Sequence, residues 1–381
     1  MKIRSIDIYP LKIPFKASFG IARGKVGGTG MQRTVVLIKL TDTDGIVGWG
    51  EASPSHIWSS ETLESVVTTL EAYYAPTLIG HPCSDIDGMI RNINRLVGPN
   101  YSIAHPIAKC GLDLAMHDLI GKRRGLTIGE LWGYERTQEA TLSWTISATN
   151  LQEAEQILLQ GLEVGYRNFN IKLGISPAYD VELCRLVRRM VPDSYLWGDA
   201  NGGYQYADIR RIVHLLEEAG LDLLEQPLPS NQMQLMRELR QVMSIPLGAD
   251  EPLLAPRDLL EWAQQGLISA YVAKVSRSAG LFYSRIACEI AEHWPMPIVC
   301  SGLTETGLGL AANVHLACAF GVERPCAWNG PQFLADDILK VPHTIKEGRI
   351  LKPNRPGLGV EVDEAKIKAF LHGNPIRVVQ G

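Results

Sequence analysis

The feature that most constrains this chain is a change of rhythm near residue 140. From there to about residue 330, short apolar stretches that read as strands alternate with amphipathic stretches that read as helices. The strand candidates are TLSWTIS (141–147), FNIKLG (169–174), YLWGDAN (195–201), LDLLEQPL (221–228), IPLGADEP (245–252), AYVAKVSR (270–277), PIVCSGLT (297–304) and PCAWNG (325–330). Between them, segments such as LQEAEQILLQGLEVG and ADIRRIVHLLEEAG carry apolar residues at helical spacing. Repeated βα units of this kind predict an α/β fold closed into a (β/α) barrel, with an open doubly wound sheet as the alternative.

Residues 1 to about 130 follow a different pattern. IRSIDIYPLKI, TVVLIKLTD and IVGWGEAS alternate or run apolar as strands do, with the turn TDTDG at 41–45 between the last two. ETLESVVTTLEAYYAPTL and SIAHPIAKCGLDLAMHDLIGKRRG then carry helical spacing, and the second stops on Lys122, Arg123, Arg124 and Gly125. Strands followed by helices predict a separate α+β domain over residues 1–130, ahead of a barrel domain over 135–340. The tail, residues 341–381, turns back to strand and turn chemistry and is expected to return to the first domain.

Bulk chemistry removes several function classes. The chain has 381 residues, 46% of them hydrophobic, enough for sizeable cores, and a formal net charge of −4 with no clustered basic face, so no nucleic-acid partner is expected. No apolar run approaches the roughly 18 residues a membrane span needs, and MKIRSIDIYPLKIPF lacks the uninterrupted apolar core of a signal peptide; no membrane partner and a cytoplasmic location are expected. The seven cysteines contain no C-x-x-C pair and read as reduced, buried thiols. The nine histidines show no H-x-x-x-H spacing, and His117 and His315 read as satisfied helix residues. GKVGGTG at 24–30 lacks the Lys-Ser/Thr ending of a phosphate-binding loop and reads as a flexible loop.

The informative polar residues sit near the C-terminal ends of the strands. Lys172, Asp199, Glu225, Asp250, Lys274 and Glu305 follow one another at intervals of 27, 26, 25, 24 and 31 residues, about one βα unit each. In a barrel this places them around one mouth, the face where barrel enzymes hold their active sites. In FNIKLG, Asn170 and Lys172 share the strand face opposite Phe169, Ile171 and Leu173, so Lys172 is expected to point inward. Three carboxylates in a small volume repel one another unless a cation intervenes. All-oxygen ligation selects a hard ion, so Mg²⁺ is expected at Asp199, Glu225 and Asp250, with Mn²⁺ as a substitute. The two lysines would then remove and return the proton alpha to a substrate carboxylate, provided burial and nearby positive charge depress their pKa values.

At this level the sequence resembles the muconate lactonizing enzyme branch of the enolase superfamily. The resemblance rests on IVGWGEASP, CGLDLAMHDLIGK, IKLG, GDANGGY, LEQPLP, GADEPL, AKVSRSAGL, LTETGLG, NGPQFLADDI and RPGLGVEVDE, in this order along nearly the whole chain. It implies a modified (β/α)7β TIM-like barrel with an α+β capping domain formed by the N-terminal segment and the C-terminal tail, and a homo-oligomeric assembly. It implies Asp199, Glu225 and Asp250 as metal ligands and Lys172 and Lys274 as paired bases. Asn201 is expected beside the ligands, Glu251 at a lysine, and Glu305 near the substrate carboxylate or at a helix start. A loop closing over the mouth would bring Phe19, Ile21, His56 or Trp58 near the substrate.

The chain departs from the family pattern in places. The K-x-K on the second barrel strand is here Asn170-Ile171-Lys172, which keeps one lysine and leaves an amide that can hydrogen-bond Lys172 or substrate. After the seventh strand, where the mandelate racemase branch has a histidine, the chain reads CSGLT. The paired aspartates of dipeptide epimerases are replaced by CAWNGP, so a dipeptide substrate is not expected. The expected partner is a small carboxylic or amino acid, undergoing racemisation, epimerisation or cycloisomerisation. The alternatives are β-elimination of a hydroxy acid on the same site, a Schiff-base lyase, and a catalytically silent binding protein.

Overall fold

Long strands with two apolar faces organise the first domain. In the computed structural model, which describes residues 1–99 and 101–379, the first domain opens with β1 (Ile3–Pro14), a short hairpin of β2 (Phe19–Ile21) and β3 (Gly24–Gly27), then β4 (Gln32–Asp42) and β5 (Val47–Ala52). Helices α1 (Leu63–Thr69), α2 (Ala75–Leu78), α3 (Ile86–Leu96), α4 (Pro106–Arg124) and α5 (Ile128–Trp132) follow, with a π-helical turn, Leu70–Tyr74, joining the first two. One face of the β1–β4–β5 sheet, including Ile6, Ile8, Val36 and Ile38, packs on Val66, Leu70, Ile93 and Leu112 of these helices. The other face, with Leu11, Ile13, Val35 and Leu37, merges with the core of the second domain. The alternation of β1 and β4 thus sends side chains into two different cores.

The second domain is a parallel sheet whose strand order follows the chain. After β6 (Glu139–Thr141), it runs β7 (Trp144–Ile146), α6 (Leu151–Glu163), β8 (Phe169–Lys172), α7 (Pro177–Met190), β9 (Leu196–Asp199), α8 (Tyr206–Glu218) and β10 (Leu223–Glu225). It continues with α9 (Met233–Gln241), β11 (Leu247–Ala249), α10 (Pro256–Gln264), β12 (Ala270–Ala273), α11 (Leu281–His293), β13 (Ile298–Cys300) and α12 (Gly307–Phe320). Strands β7 to β13 are neighbours in sequential order, without the reversal that defines a doubly wound sheet. The open-sheet alternative is therefore set aside.

The eighth strand expected over 325–330 is much reduced. The barrel closes through two isolated parallel bridges, Leu142 with Cys326 and Ser301 with Ala327. Pro325 has no N–H to extend the ladder, and the Trp328 indole N–H turns to the Ser301 carbonyl at 3.2 Å, so pairing stops after two residues. The other strands are also shorter than read from sequence, because the chain turns away at their polar ends. After α13 (Gly330–Phe333), the chain forms β14 (Ile345–Lys346), β15 (Arg349–Leu351), α14 (Glu364–Phe370) and β16 (Ile376–Val379). β15 pairs antiparallel with β6, beside the barrel, and β16 pairs antiparallel with β1, so it is the end of the tail that joins the first domain's sheet. No helix among the described residues is long and apolar enough to cross a membrane.

Close backbone approach fixes α4 on β5. A side-chain carbon at Gly50 would lie 2.0 Å from the Gly111 carbonyl oxygen and 2.5 Å from the Ala115 nitrogen, and neither backbone atom can swing aside. Gly50→Val is expected to destabilise the protein by on the order of 3 kcal/mol or more, as overpacking against main chain does. Gly98→Ala, with nothing within 4 Å of the added carbon, should change stability by less than about 0.5 kcal/mol. Urea unfolding of both variants checks the contrast.

Candidate active site

Five barrel strands deliver one ionisable side chain each to the same end. Lys172, Asp199 and Glu225 are the last residues of β8, β9 and β10, and Asp250 and Lys274 directly follow β11 and β12. The register sets Lys172 and Glu225 opposite Asp199 on the two sides of β9, so the groups stand at one height. All five are buried, Glu225 and Asp250 with 0% exposure. Lys172 donates to Asp199 Oδ2 at 2.5 Å. Lys274 and Arg277 both donate to the Asp250 carboxylate, and Arg277 also donates to the Asp250 and Val272 carbonyls. Glu225 is the exception, since both its carboxylate oxygens are buried with no hydrogen-bond partner.

The electrostatics follow from burial and pairing. Burial first, then Asp199 and Asp250, push the Glu225 carboxyl well above its usual range. Burial also raises Glu251 to about 7, helped by Asp250 and Asp199. At Asp250, burial acts upward but Lys274 and Arg277 outweigh it and hold the carboxyl low. At Lys274, burial acts downward but Asp250 and Glu225 outweigh it, so the ammonium is held above its ordinary value. The expected depression of this lysine is therefore not found, because Asp250 directs its charge at the amine. Asp199 and Asp250 are turned onto their lysines, and among the described residues no three acidic, histidine or cysteine side chains stand in ready ligand geometry.

The turns leaving the strands carry unusual backbone. Asn201, Gln226 and Thr304 have φ of 44°, 39° and 57°, a left-handed conformation that costs a residue with a side chain of order 1 kcal/mol or more. The geometry lets the Asn201 N–H donate to Asp199 Oδ1 at 3.0 Å. It also lets the Gln226 side chain accept from the Asp250 N–H at 3.0 Å while donating to the Leu228 carbonyl at 2.7 Å.

The first domain covers this ring. Phe19 and Trp58 lie over the lysines, with Lys172 Nζ 5.7 Å from the Phe19 ring centre and Lys274 Nζ 4.6 Å from that of Trp58. A cavity between the domains is lined by Phe19, Ile21, Val26, Ser55 and Trp58 from above and by Asn170, Lys172, Asp199, Asn201 and Lys274 from below. Residues 301–304, Ala327 and Asn329 form its side.

Several expected site residues stand elsewhere or act differently. His56 is exposed at the loop and does not line the cavity. Glu305 is neither at the cavity nor on the surface: it is buried behind the loop, accepting from Ser276 Oγ and from the Leu303 N–H at 2.7 Å. Glu251 receives its hydrogen bond from Asn201 at 3.4 Å rather than from a lysine. Asn170 donates to the Trp197 carbonyl at 3.4 Å.

Sequence reading missed Arg277, Gln226, Ser301, Thr304 and Asn329. Arg277 left the clearest signal, an arginine three residues past Lys274 inside an otherwise small-residue turn. It also missed Arg33 on β4, whose buried guanidinium donates to four main-chain carbonyls, those of Ser53 and Pro54 in the first domain and of Leu303 and Thr304 in the barrel. Beside it on β5, Glu51 accepts from the Thr306 and Gly309 N–H groups and from the hydroxyls of Thr306 and Ser53. The cavity's upper and side walls are thus tied together.

Comparison with known proteins agrees with this architecture. Residues 9–133 match the family described as mandelate racemase/muconate lactonizing enzyme, N-terminal domain, and residues 152–366 match the enolase C-terminal domain-like family. Muconate cycloisomerase 1 of Rhodococcus opacus is 28% identical over 88% of this chain and 90% of its own length. The o-succinylbenzoate synthase of Geobacillus kaustophilus is 28% identical over 94% of this chain and 92% of its own. The crystal structure of muconate lactonizing enzyme from Pseudomonas fluorescens complexed with muconolactone superposes with a TM-score of 0.91 at 25% identity, covering 97% of this chain and 99% of that one.

Removing the Arg33 clamp takes a donor from four buried carbonyls, of which that of Pro54 alone keeps another, the Thr34 hydroxyl at 3.2 Å, at a cost of about 3 kcal/mol or more. Arg33→Met should therefore lower the melting temperature and speed hydrogen exchange together in residues 53–58 and 301–306. Arg33→Lys, which cannot span four acceptors, should fall in between. Unchanged exchange in one of the two segments would mean that the guanidinium does not join them.

Proposed function

Because the chain belongs to the mandelate racemase/muconate lactonizing enzyme family of the enolase superfamily, we propose that it is a Mg²⁺-dependent racemase or epimerase that removes the proton alpha to the carboxylate of a small substrate. The observation that supports this is the pair of lysines at the ends of β8 and β12, strands four positions apart in the strand order, that line one cavity. One lysine as free amine takes the alpha proton at Nζ, and the C–H electron pair moves into the carboxylate to give an enediolate. The other lysine, as ammonium, gives its proton to the opposite face of the same carbon. The product has inverted configuration and the lysines have exchanged protonation states. Phe19 and Trp58 cover the two amines and keep bulk water from competing for the proton.

The residues present fit a hard cation. Glu225 holds two buried oxygens with no donor, flanked by Asp199 and Asp250, an all-oxygen donor set of the type Mg²⁺ takes. When bound by these three residues, Mg²⁺ would supply the positive charge that acidifies the alpha proton and offsets the second charge of the enediolate. Arg277 would keep Asp250 oriented in either state.

Cycloisomerisation is a second reading, supported by the name of the Rhodococcus opacus relative; it uses one lysine as acid and does not require the other to face the same carbon. Seven buried free cysteines agree with a reducing, cytoplasmic setting. A homo-oligomeric assembly is part of the same proposal, and light scattering tests it.

Two measurements test the assignment. In D₂O with Mg²⁺, wild-type protein should wash deuterium into the alpha position of both enantiomers of a turned-over carboxylate. Lys172→Ala and Lys274→Ala should each lose exchange from one enantiomer by roughly 10²- to 10⁴-fold. Retention of both exchanges in both variants would remove the lysines from the mechanism. Separately, Mg²⁺ should raise the melting temperature of wild-type protein by mass action, whereas Glu225→Gln should show little rise at the same concentration.

A further inference from the structure

The walls of the cavity carry information about the substrate beyond its reacting carboxylate. The charged side chains among the described residues lining it are Lys172, Asp199 and Lys274, all belonging to the reacting end. Away from that end the surface is apolar or neutral, with Ile21, Val26 and Leu303 beside the hydroxyls of Ser55 and Ser301 and the amide of Asn329. Asn329 accepts from Thr304 Oγ1 at 2.9 Å through its oxygen, which leaves its NH₂ as the group able to donate to a ligand. Asn170, on the cavity floor, is likewise an uncharged donor.

Two charges close behind the walls away from the reacting end are already committed, whereas Glu251, with an unpartnered Oε2, stands behind Asn201 at the reacting end. Arg33 is spent on four carbonyls, and Glu305 on Ser276 and the Leu303 N–H. Arg23 and Lys25 are exposed on the β2–β3 hairpin and do not line the cavity. A second substrate carboxylate would therefore enter a water-poor pocket without a cation, and a substrate ammonium would enter without a free carboxylate. Burying an unpaired charge is strongly unfavourable in either case.

We infer that the substrate is a carboxylate whose remainder is uncharged, apolar in bulk and able to accept a hydrogen bond from Asn329, and that dicarboxylates and cationic carboxylates are excluded. This rests on the proton-abstraction reading above and narrows it.

The test uses matched side chains on one scaffold. Mg²⁺-loaded full-length protein is incubated in D₂O with the enantiomers of N-acetyl-leucine, N-acetyl-glutamate and N-acetyl-lysine, and with neutral, anionic and cationic 2-hydroxy acids, and alpha-proton exchange is followed by NMR. The neutral member of each exchanging set should exceed its charged counterparts by roughly a hundredfold in kcat/KM. A charged member that matches or exceeds the neutral one overturns the inference while leaving the two-lysine reading intact. No exchange with any member, at protein concentrations that would reveal slow turnover, overturns the proton-abstraction reading and this inference with it. Asn329→Lys, checked for folding, should raise the anionic-to-neutral ratio at least about tenfold by supplying the missing cation. An unchanged ratio in a variant that still exchanges the neutral substrate would show that the remainder does not sit against Asn329.

Discussion

Asp250 is held between Lys274 and Arg277, and the chemistry of the mouth depends on that arrangement. A carboxylate with no exposure must keep a counter-charge or take up a proton. Were Lys274 its sole partner, the lysine could not give up its proton without stranding a buried negative charge. Arg277 removes that restriction, because its guanidinium is a second cation on the carboxylate and also donates to two carbonyls. In the proposed proton transfer, Lys274 can then change protonation state while Asp250 remains compensated. Asp199 has a weaker version of the same insurance in the N–H of Asn201, made available by that residue's left-handed backbone.

Chemistry and selection are carried by different parts of the fold. The ionisable groups of the mouth come from strand ends of one parallel sheet, where register fixes their relative heights. The surfaces that meet the rest of the ligand come from the first domain and from the turn after β13, joined by Arg33 and Glu51 rather than by continuous secondary structure. Such a division allows the walls to vary while the sheet stays constant. Glu225, at the end of β10, is the carboxylate of this sheet with both oxygens buried and without a protein donor.

What was readable in advance follows the range of the forces involved. Lys172 could be placed on the inner face because a strand alternates with period two and its neighbours Phe169, Ile171 and Leu173 are apolar. The ring of five groups could be read because one βα unit has a nearly constant length. The barrel could be read, but its eighth strand could not be judged, since Cys326 and Ala327 pair only as far as Trp328 and Pro325 permit. His56 and the partner of Glu251 could not be placed, and Glu305 could be read at a helix start but not as buried, because loop direction depends on contacts that have no local signature. Arg33 illustrates the limit: it meets Leu303 across 270 residues of sequence, and nothing in QRTVV announces that.

The pairing of β16 with β1 has a consequence for how the molecule is assembled in time. Ser5 lies opposite Val379, so the first domain's sheet joins residues from the two extremes of the described chain. During synthesis β1 and β4 can pair as soon as they emerge, but β1 keeps one unpaired edge while the entire barrel is translated and folded. A growing chain therefore carries an open, partly apolar strand edge until the barrel has been made, a template for pairing with another nascent copy. The barrel behaves topologically as a large insertion inside a small domain, and β16, made after the barrel, is the strand that seals the open edge of β1.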